Sequence, residues 1–452
     1  MNTVACELFA AATCNMACAY CYIPKTPTMG ELHRRVTSEL SSGRWIETLK
    51  QVVGEQLEHI GFWGTEPTLI LDFVTPQVPD ILGTFPNLKN VGFSTNLLQR
   101  PEVICDFARA LSAHTDKVKL DVQVSLDGPE WVTDENRHPG AVAAITANLR
   151  RLFEDLGSGG PGITVAMRFK PTLTVENMRA MDDQRIGEWF SFFDGLLDMY
   201  AVTVRDKEHL QFAPEVTPTF VVPGRYTSDD GRDVAAFFER VWRLEQRHQR
   251  KRMFKYIRGS LNQYVKRFQR LVRYHGDFMR HPSMMTCSAG DTNMGLGLAR
   301  VHICHRTFML DQPEYVASVE RTLGNWDVSL FEQGRISIAN RFIADADAKR
   351  ELARLWYVMR NYHDFYTLQV SYGVALLKEL AAAGQVSPVY GECEELAALL
   401  ALFVATAFSC PAENLLNTGC LHFSPVSLFR LLGNGAFESI LEQYLAGERA
   451  AA

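Results

Sequence analysis

The sequence contains no apolar run long enough to cross a membrane. Its longest alanine- and leucine-rich stretch, 396–408, covers 13 residues, against the ~18 or more that a spanning helix requires, and so reads as a buried helix. Strong charge of either sign is also missing. The 46 Lys and Arg against 52 Asp and Glu leave −6 over 452 residues, too mild a balance to mark a nucleic-acid or membrane-surface protein. Residues 1–12 lack the basic start and apolar core of a secretory signal, so the expectation is a cytoplasmic chain. Repeats and low-complexity linkers are absent, and 47% apolar with 22% charged residues excludes disordered and collagen-like classes. Cysteine is scarce: ten residues, about 2% of the chain, far below a disulfide scaffold. Three of them nevertheless fall within eight residues, a concentration that points to metal or catalysis.

Over the first 205 residues, short β-branched or aromatic runs alternate with longer amphipathic ones, the pattern of repeated β-α units. Strands are expected near 3–9, 58–63, 90–95, 119–125, 163–170 and 198–204. Helices are expected near 37–56, 68–83, 101–114, 140–156 and 174–194. Six strands with right-handed crossovers make an α/β fold with a parallel sheet, either an open barrel or a doubly wound sheet. Reactive residues then belong at the C-terminal strand ends. Residues 230–275 carry no strand signal and read as helix, with twelve Lys and Arg against Glu245 alone between Arg240 and Arg273. Past Pro282 come short strands punctuated by glycine (287–308), and from about 344 the chain is almost wholly helical.

The cluster is Cys14-Asn-Met-Ala-Cys18-Ala-Tyr-Cys21, directly after the first expected strand. Cysteines at i, i+4 and i+7 share one face of a helix and could be small core residues. Pro24, soon after, argues against a long helix here. A structural zinc would need a fourth ligand, and none lies nearby in the sequence. Three thiolates suit an iron–sulfur cube that keeps one iron open to a substrate or cofactor. Cys6 and Cys105 stand in apolar runs and read as core.

The Cys-x3-Cys-x-aromatic-Cys pattern, with Tyr20 as the aromatic, resembles the signature of radical S-adenosylmethionine (SAM) enzymes. Gly64-Thr65-Glu66-Pro67 is similar to that family's Gly-Gly-Glu-Pro motif, which receives the SAM amino group; Thr65 departs from the usual second glycine. The third strand ends Ser94-Thr95-Asn96. The fourth ends Ser125-Leu126-Asp127-Gly128-Pro129, similar to a segment of the peptide- and protein-modifying branch in which the serine contacts SAM. Asn136-Arg137 and Arg168-Phe169-Lys170 also resemble that branch, where an arginine commonly faces the SAM carboxylate, and Arg137 is preferred over Arg168. The resemblance implies a partial (β/α)6 TIM-type barrel, a 4Fe–4S cluster with an open site on Cys14, Cys18 and Cys21, and SAM held by Tyr20, Gly64, Thr65, Glu66, Pro67, Ser94, Asn96, Ser125, Asp127, Arg137 and Arg168. It further implies reductive cleavage of SAM to a 5′-deoxyadenosyl radical that abstracts hydrogen from a substrate held away from water.

Cys287-Ser-Ala-Gly opens a glycine-rich hairpin returning to Cys304-His305-Arg306, which looks like the first half of a SPASM or Twitch auxiliary-cluster domain. Ala299 stands where that family usually has glycine, and the dense late cysteine run of a full SPASM domain is missing. The supply permits one auxiliary 4Fe–4S cluster, expected on Cys287, Cys304, Cys410 and Cys420, with Cys393 or His305 as substitutes. The expected division is a core barrel over 1–225, a basic helical bridge over 226–282 and an auxiliary-cluster and helical domain over 283–452.

The implied substrate is a ribosomal peptide or protein side chain, crosslinked, epimerised or oxidised. The alternative is a dehydrogenase or rearrangement enzyme acting on a small natural-product intermediate. Only 13 residues precede Cys14, so the expectation is that a peptide is recognised by a separate leader-recognition protein or by the basic helix of 240–273. A reductase, flavodoxin or ferredoxin would supply electrons, and nucleic acid is not an expected partner. A non-catalytic iron–sulfur carrier or a zinc module would need no SAM cradle, which the 64–67 and 125–129 motifs supply. Acid–base candidates adjoining the motifs are Tyr22, Lys25, Asp127 and His305.

Overall fold

The computed structural model describes residues 4–21, 27–98, 100–158, 162–213, 216, 219–221, 233, 236–238, 240–241, 243–245, 293–298, 300–302, 363–408, 429–430, 432–435 and 437–438. In chain order the elements are β1 (Ala5–Ala11), α1 (Pro27–Ser41), α2 (Arg44–Val53), β2 (His59–Gly64), a 3₁₀ turn (Pro67–Ile70), α3 (Leu71–Val74), a second 3₁₀ turn (Thr75–Gln77) and α4 (Val78–Thr84). There follow β3 (Asn90–Thr95), α5 (Glu102–Ser112), β4 (Lys119–Val124), α6 (Glu130–Asn136), α7 (Ala141–Gly157), β5 (Val165–Phe169), β6 (Thr172–Thr174), α8 (Val175–Ala180) and α9 (Asp183–Thr203). The last are β7 (Leu210–Phe212), β8 (Thr219–Val221), β9 (Asn293–Gly297), β10 (Arg300–His302), α10 (His363–Ala382), α11 (Val389–Glu392) and α12 (Glu394–Phe408).

The main sheet has the order β10-β9-β1-β2-β3-β4-β5-β7. Seven of its strands, β9 to β7, run parallel, and β10 returns antiparallel to β9. Helices alternate with the parallel strands, as expected of a partial TIM-type barrel. The glycine-punctuated hairpin expected near 287–308 is β9–β10, and it joins the same sheet at the open edge of β1.

One face of each strand packs under the helices. Leu8, Ile60, Phe62, Val91, Phe93, Leu120, Val122, Val165 and Met167 are buried. Phe62 meets Trp45 of α2 and Phe107 of α5 edge-on, at 6.0 and 6.2 Å between ring centroids. Burying one such aromatic side chain contributes roughly 1.5–3 kcal/mol. The alternate positions are different: Glu7, His59, Asn90, Lys119, Asp121, Gln123 and Arg168 are partly or fully exposed. A parallel sheet covered on both faces would be apolar throughout. Here the strand period of two separates an apolar outer face from a polar lumen.

The expected strand at 198–204 is instead the end of α9, and the sixth strand of the β1–β7 series is β7. The β-branched run there is outweighed by a helical spacing: Trp189, Phe190, Phe193, Leu196 and Tyr200 are all buried, while Val202 is 86% exposed. The single helix expected over 37–56 divides into α1 and α2 at Ser42–Gly43.

The contacts divide the chain into two compact units. The first holds residues 1–172, 189–216 and 289–356, and the second holds 173–188, 217–288 and 357–452. In the second, α10 packs on α12, with Leu377, Tyr390, Ala397, Leu400 and Phe403 at its core. The apolar stretch at 396–408 is thus a helix with a buried face. Among the described residues no helix is long and apolar enough to cross a membrane.

Candidate active site

Residues 12–21 leave the C-terminal end of β1 as turns and extended chain, not as helix. The reading of Cys14, Cys18 and Cys21 as one buried helical face is therefore set aside. Cys14 and Cys18 are half-buried and Cys21 is exposed. The Cys14 sulfur accepts hydrogen bonds from the Met16 backbone N–H (3.3 Å) and from Asn96 Nδ2 (3.5 Å). Two donors aimed at one sulfur fit an anionic thiolate ligand. Burial raises the pKa of Cys18, against the opposing field of the Arg137 guanidinium. Among the described residues no three Cys, His, Asp or Glu side chains converge as ligands of a single metal ion. A cube asks for a looser arrangement, since each thiolate binds a different iron. Cys6 and Cys105 are buried in the core, as expected, and burial pushes the Cys105 thiol up to about 12.

The loop is fastened at three successive strand ends. Beyond β2, Thr65 donates its backbone N–H to the Ala11 carbonyl (2.9 Å) and its hydroxyl to the Thr13 carbonyl. Beyond β3, Asn96 Nδ2 also donates to Asn15 Oδ1 (2.7 Å). Beyond β4, Asp127 accepts the Tyr20 hydroxyl (2.8 Å) and a bidentate pair from Arg137, Nε to Oδ2 at 2.8 Å and Nη2 to Oδ1 at 2.7 Å. The Thr172 N–H adds a fourth donor at 2.8 Å, and the Arg137 guanidinium lies 5.5 Å from the Tyr20 ring centroid. Asp127 is 0% exposed and Arg137 8%. Burial lowers the Arg137 pKa, but the paired carboxylate outweighs it and holds the guanidinium charged more firmly than usual. Burial likewise keeps the Tyr20 phenol protonated.

The motif glycines are demanded by the protein's own packing. Gly64 has φ 151°, and a Cβ there would stand 2.2 Å from the Ala11 carbonyl oxygen. Gly128 has φ 145°, and its Cβ would meet Trp189 Cδ1 at 2.3 Å. The Trp189 indole in turn donates to the Asp127 carbonyl (2.6 Å). Glu66 is buried and turned inward. It accepts from the Asn96 N–H (2.7 Å) and from both donors of Thr68, linking β2 to β3 and capping the Pro67–Ile70 turn. Burial raises its pKa, with these donors opposing.

Tyr20, Gly64, Thr65, Glu66, Asn96, Asp127 and Arg137 thus come together at one rim of the sheet, bonded largely to one another. Pro67 is buried at the start of its turn. Ser94 and Ser125 are half-buried, and their hydroxyls make no hydrogen bond among the described residues. Arg168 is exposed on the lumen side of β5. Cys287, Cys304, His305, Cys410, Cys420, Tyr22 and Lys25 lie outside the described residues. Cys393 ends α11, half-buried. Of the basic stretch, Arg240 donates to the Met178 carbonyl and Arg243 pairs with Asp183 at 2.7 Å. The sequence reading missed Trp189, the Thr65 hydroxyl and Glu7. Only Glu7 carried a signal, as a charge on alternation within a strand.

No protein-family model and no curated protein matches the chain. Solved structures are similar in fold. Native anSMEcpe, an anaerobic sulfatase-maturating enzyme, with bound AdoMet gives a TM-score of 0.40 at 14% identity over 66% of this chain and 74% of that one. The polyhistidine-tagged form of that enzyme with bound AdoMet gives 0.48 at 12% identity over 98% and 96%. A third, with AdoMet and the Kp18Cys peptide, gives 0.36 at 16% identity over 59% and 66%.

Proposed function

We propose that this chain is a radical SAM enzyme that takes hydrogen from a peptide or protein side chain. One observation carries the reading. The loop bearing Cys14, Cys18 and Cys21 is fastened in turn by Thr65, Asn96 and Asp127, one from each of the three motif-bearing strand ends that follow it. A zinc module or an electron carrier has no use for that series. When bound, a 4Fe–4S cluster on these cysteines would supply the open iron and the electron that cleave SAM.

The chain's own residues position and screen. Asp127 and Arg137 neutralise each other beside Cys18, so the Asp127 carboxylate would not meet an anionic cluster unpaired. Asn96 directs its amide at Cys14. Ser94 and Ser125 offer hydroxyls, and Arg168 a guanidinium, on the lumen side. The hairpin β9–β10 falls between Cys287 and Cys304, which supports an auxiliary cluster on those two, completed in this proposal by Cys410 and Cys420.

After anaerobic reconstitution and dithionite reduction, incubation with SAM is expected to yield 5′-deoxyadenosine by mass spectrometry. Replacing the three loop cysteines with alanine should abolish it. An intact cluster that forms no nucleoside overturns the enzyme reading. About eight irons per chain support the auxiliary cluster, and about four remove it.

A further inference from the structure

Below the cysteine loop, one row of the lumen runs Gly295, Glu7, Gly61, Gly92, Asp121 and Ala166, each in register with the next. The row ends at Gln211 on β7, whose amide donates to the Glu208 carbonyl, and three glycines and an alanine leave Glu7 and Asp121 as its two acidic side chains. Asp121 is committed: it pairs with Lys119 Nζ at 3.0 Å and accepts from Asn90. Glu7 has no hydrogen bond and no ion pair with any described residue. Its carboxylate lies across Gly61, where a methyl group would come 2.1 Å from Oε2. The glycine therefore makes the room that the carboxylate occupies.

At the next lumen positions toward the loop stand Phe9 and Trp63, paired in register with ring centroids 5.2 Å apart and planes at 47°. Arg168 is the cation whose field reaches Glu7, but its side chain is exposed and forms no ion pair among the described residues. A half-buried carboxylate without a partner is costly until a cation joins it, and aromatic faces beside it add attraction for an organic cation. A single carboxylate with no second donor offers no chelate for a metal ion.

We infer that Glu7, with Phe9 and Trp63 beside it, is a binding site for an organic cation, an ammonium or guanidinium group carried by the molecule on which the enzyme acts. The inference rests on the proposed function only in calling that molecule a substrate; the binding itself needs neither cluster nor SAM.

Isothermal titration of the full-length chain with benzylammonium and with its neutral isostere benzyl alcohol, at fixed ionic strength, tests the site. Benzylammonium should bind at least ~10-fold more tightly than the alcohol. Glu7→Gln should remove that preference, and Gly61→Ala, which pushes the carboxylate aside, should weaken it while the melting temperature reports that the chain is folded. The site is disproved if the wild type binds the cation no better than the alcohol, or if Glu7→Gln leaves the preference intact. Should Glu7→Gln fail to fold, Gly61→Ala alone decides. Cation binding without 5′-deoxyadenosine formation would overturn the radical reading and leave this site standing.

Discussion

The carboxylates at the rim of the sheet and the Glu7 carboxylate in the lumen beneath it are the same kind of polar group, yet they are satisfied in opposite ways. At the rim, Asp127 accepts from Tyr20, Arg137 and Thr172, and Glu66 accepts from Asn96 and Thr68. In the lumen, Glu7 has no such partner among the described residues. A saturated network stores rigidity, whereas an unsaturated group in a concave surface stores affinity for something else. The motif residues at the rim therefore act chiefly as fasteners that hold the cysteine loop in place. On the proposed function, chemistry directed at ligands is left to the sulfurs, to Ser94 and Ser125, and to the lumen.

The rim half of this contrast can be broken most forcibly at Asp127. Asp127→Ala leaves Arg137 buried without its carboxylate and should cost about 3–5 kcal/mol in denaturant unfolding. Adding Arg137→Met should recover part of that loss, because the stranded charge is then gone too. A loss below about 1 kcal/mol for the single variant would mean that the loop is not held there. Gly128→Ala should come next, at roughly 1–3 kcal/mol, since its Cβ would enter the Trp189 indole from a strained backbone angle. Full stability in that variant would show that Trp189 can yield.

A smaller effect is expected at Thr65, the position where this sequence departs from the glycine of the family it resembles. Thr65→Val strands the Thr13 carbonyl and should cost about 1 kcal/mol, with iron lost faster from the reconstituted protein under chelator. Thr65→Ser keeps the hydroxyl and should behave as wild type. If valine and serine retain iron equally, the hydroxyl is no fastener and the contrast between rim and lumen narrows.

The α/β class, the parallel sheet and five of the six strands expected over the first 205 residues were legible, because β-α alternation is a local signal. The sixth strand was misplaced because the Met199–Thr203 run is β-branched locally while its neighbours in space reward a helix. Which residues meet at the rim was legible from strand-end motifs. Their partners were not, since Tyr20 and Asp127 are 107 residues apart and nothing in either segment encodes the bond. Glu7 shows the opposite failure. Cys6 and Leu8 on either side are buried under helices, and reading Val-Ala-Cys-Glu-Leu as one apolar run concealed an alternation that was already present.

The least effect, and the one that tests the lumen half directly, lies in the pH dependence of stability at Glu7. Burial raises the Glu7 carboxyl above its ordinary pKa, with the field of Arg168 opposing. The folded chain therefore holds this proton more tightly than the unfolded chain. The stabilisation that follows is complete below the unfolded carboxyl value of about 4.3 and is lost as pH rises through the higher folded value. At neutral pH the ionised group is then a cost to the fold, and Glu7→Gln should melt higher than wild type near pH 7, the gap closing as pH falls below the carboxylate range. Thermal melts of both proteins from pH 4 to pH 8 check this. A glutamine variant that melts lower at pH 7 would mean that the carboxylate is already held by a cation of the protein. The lumen would then be satisfied in the same way as the rim, and no place for an incoming ammonium or guanidinium group would remain.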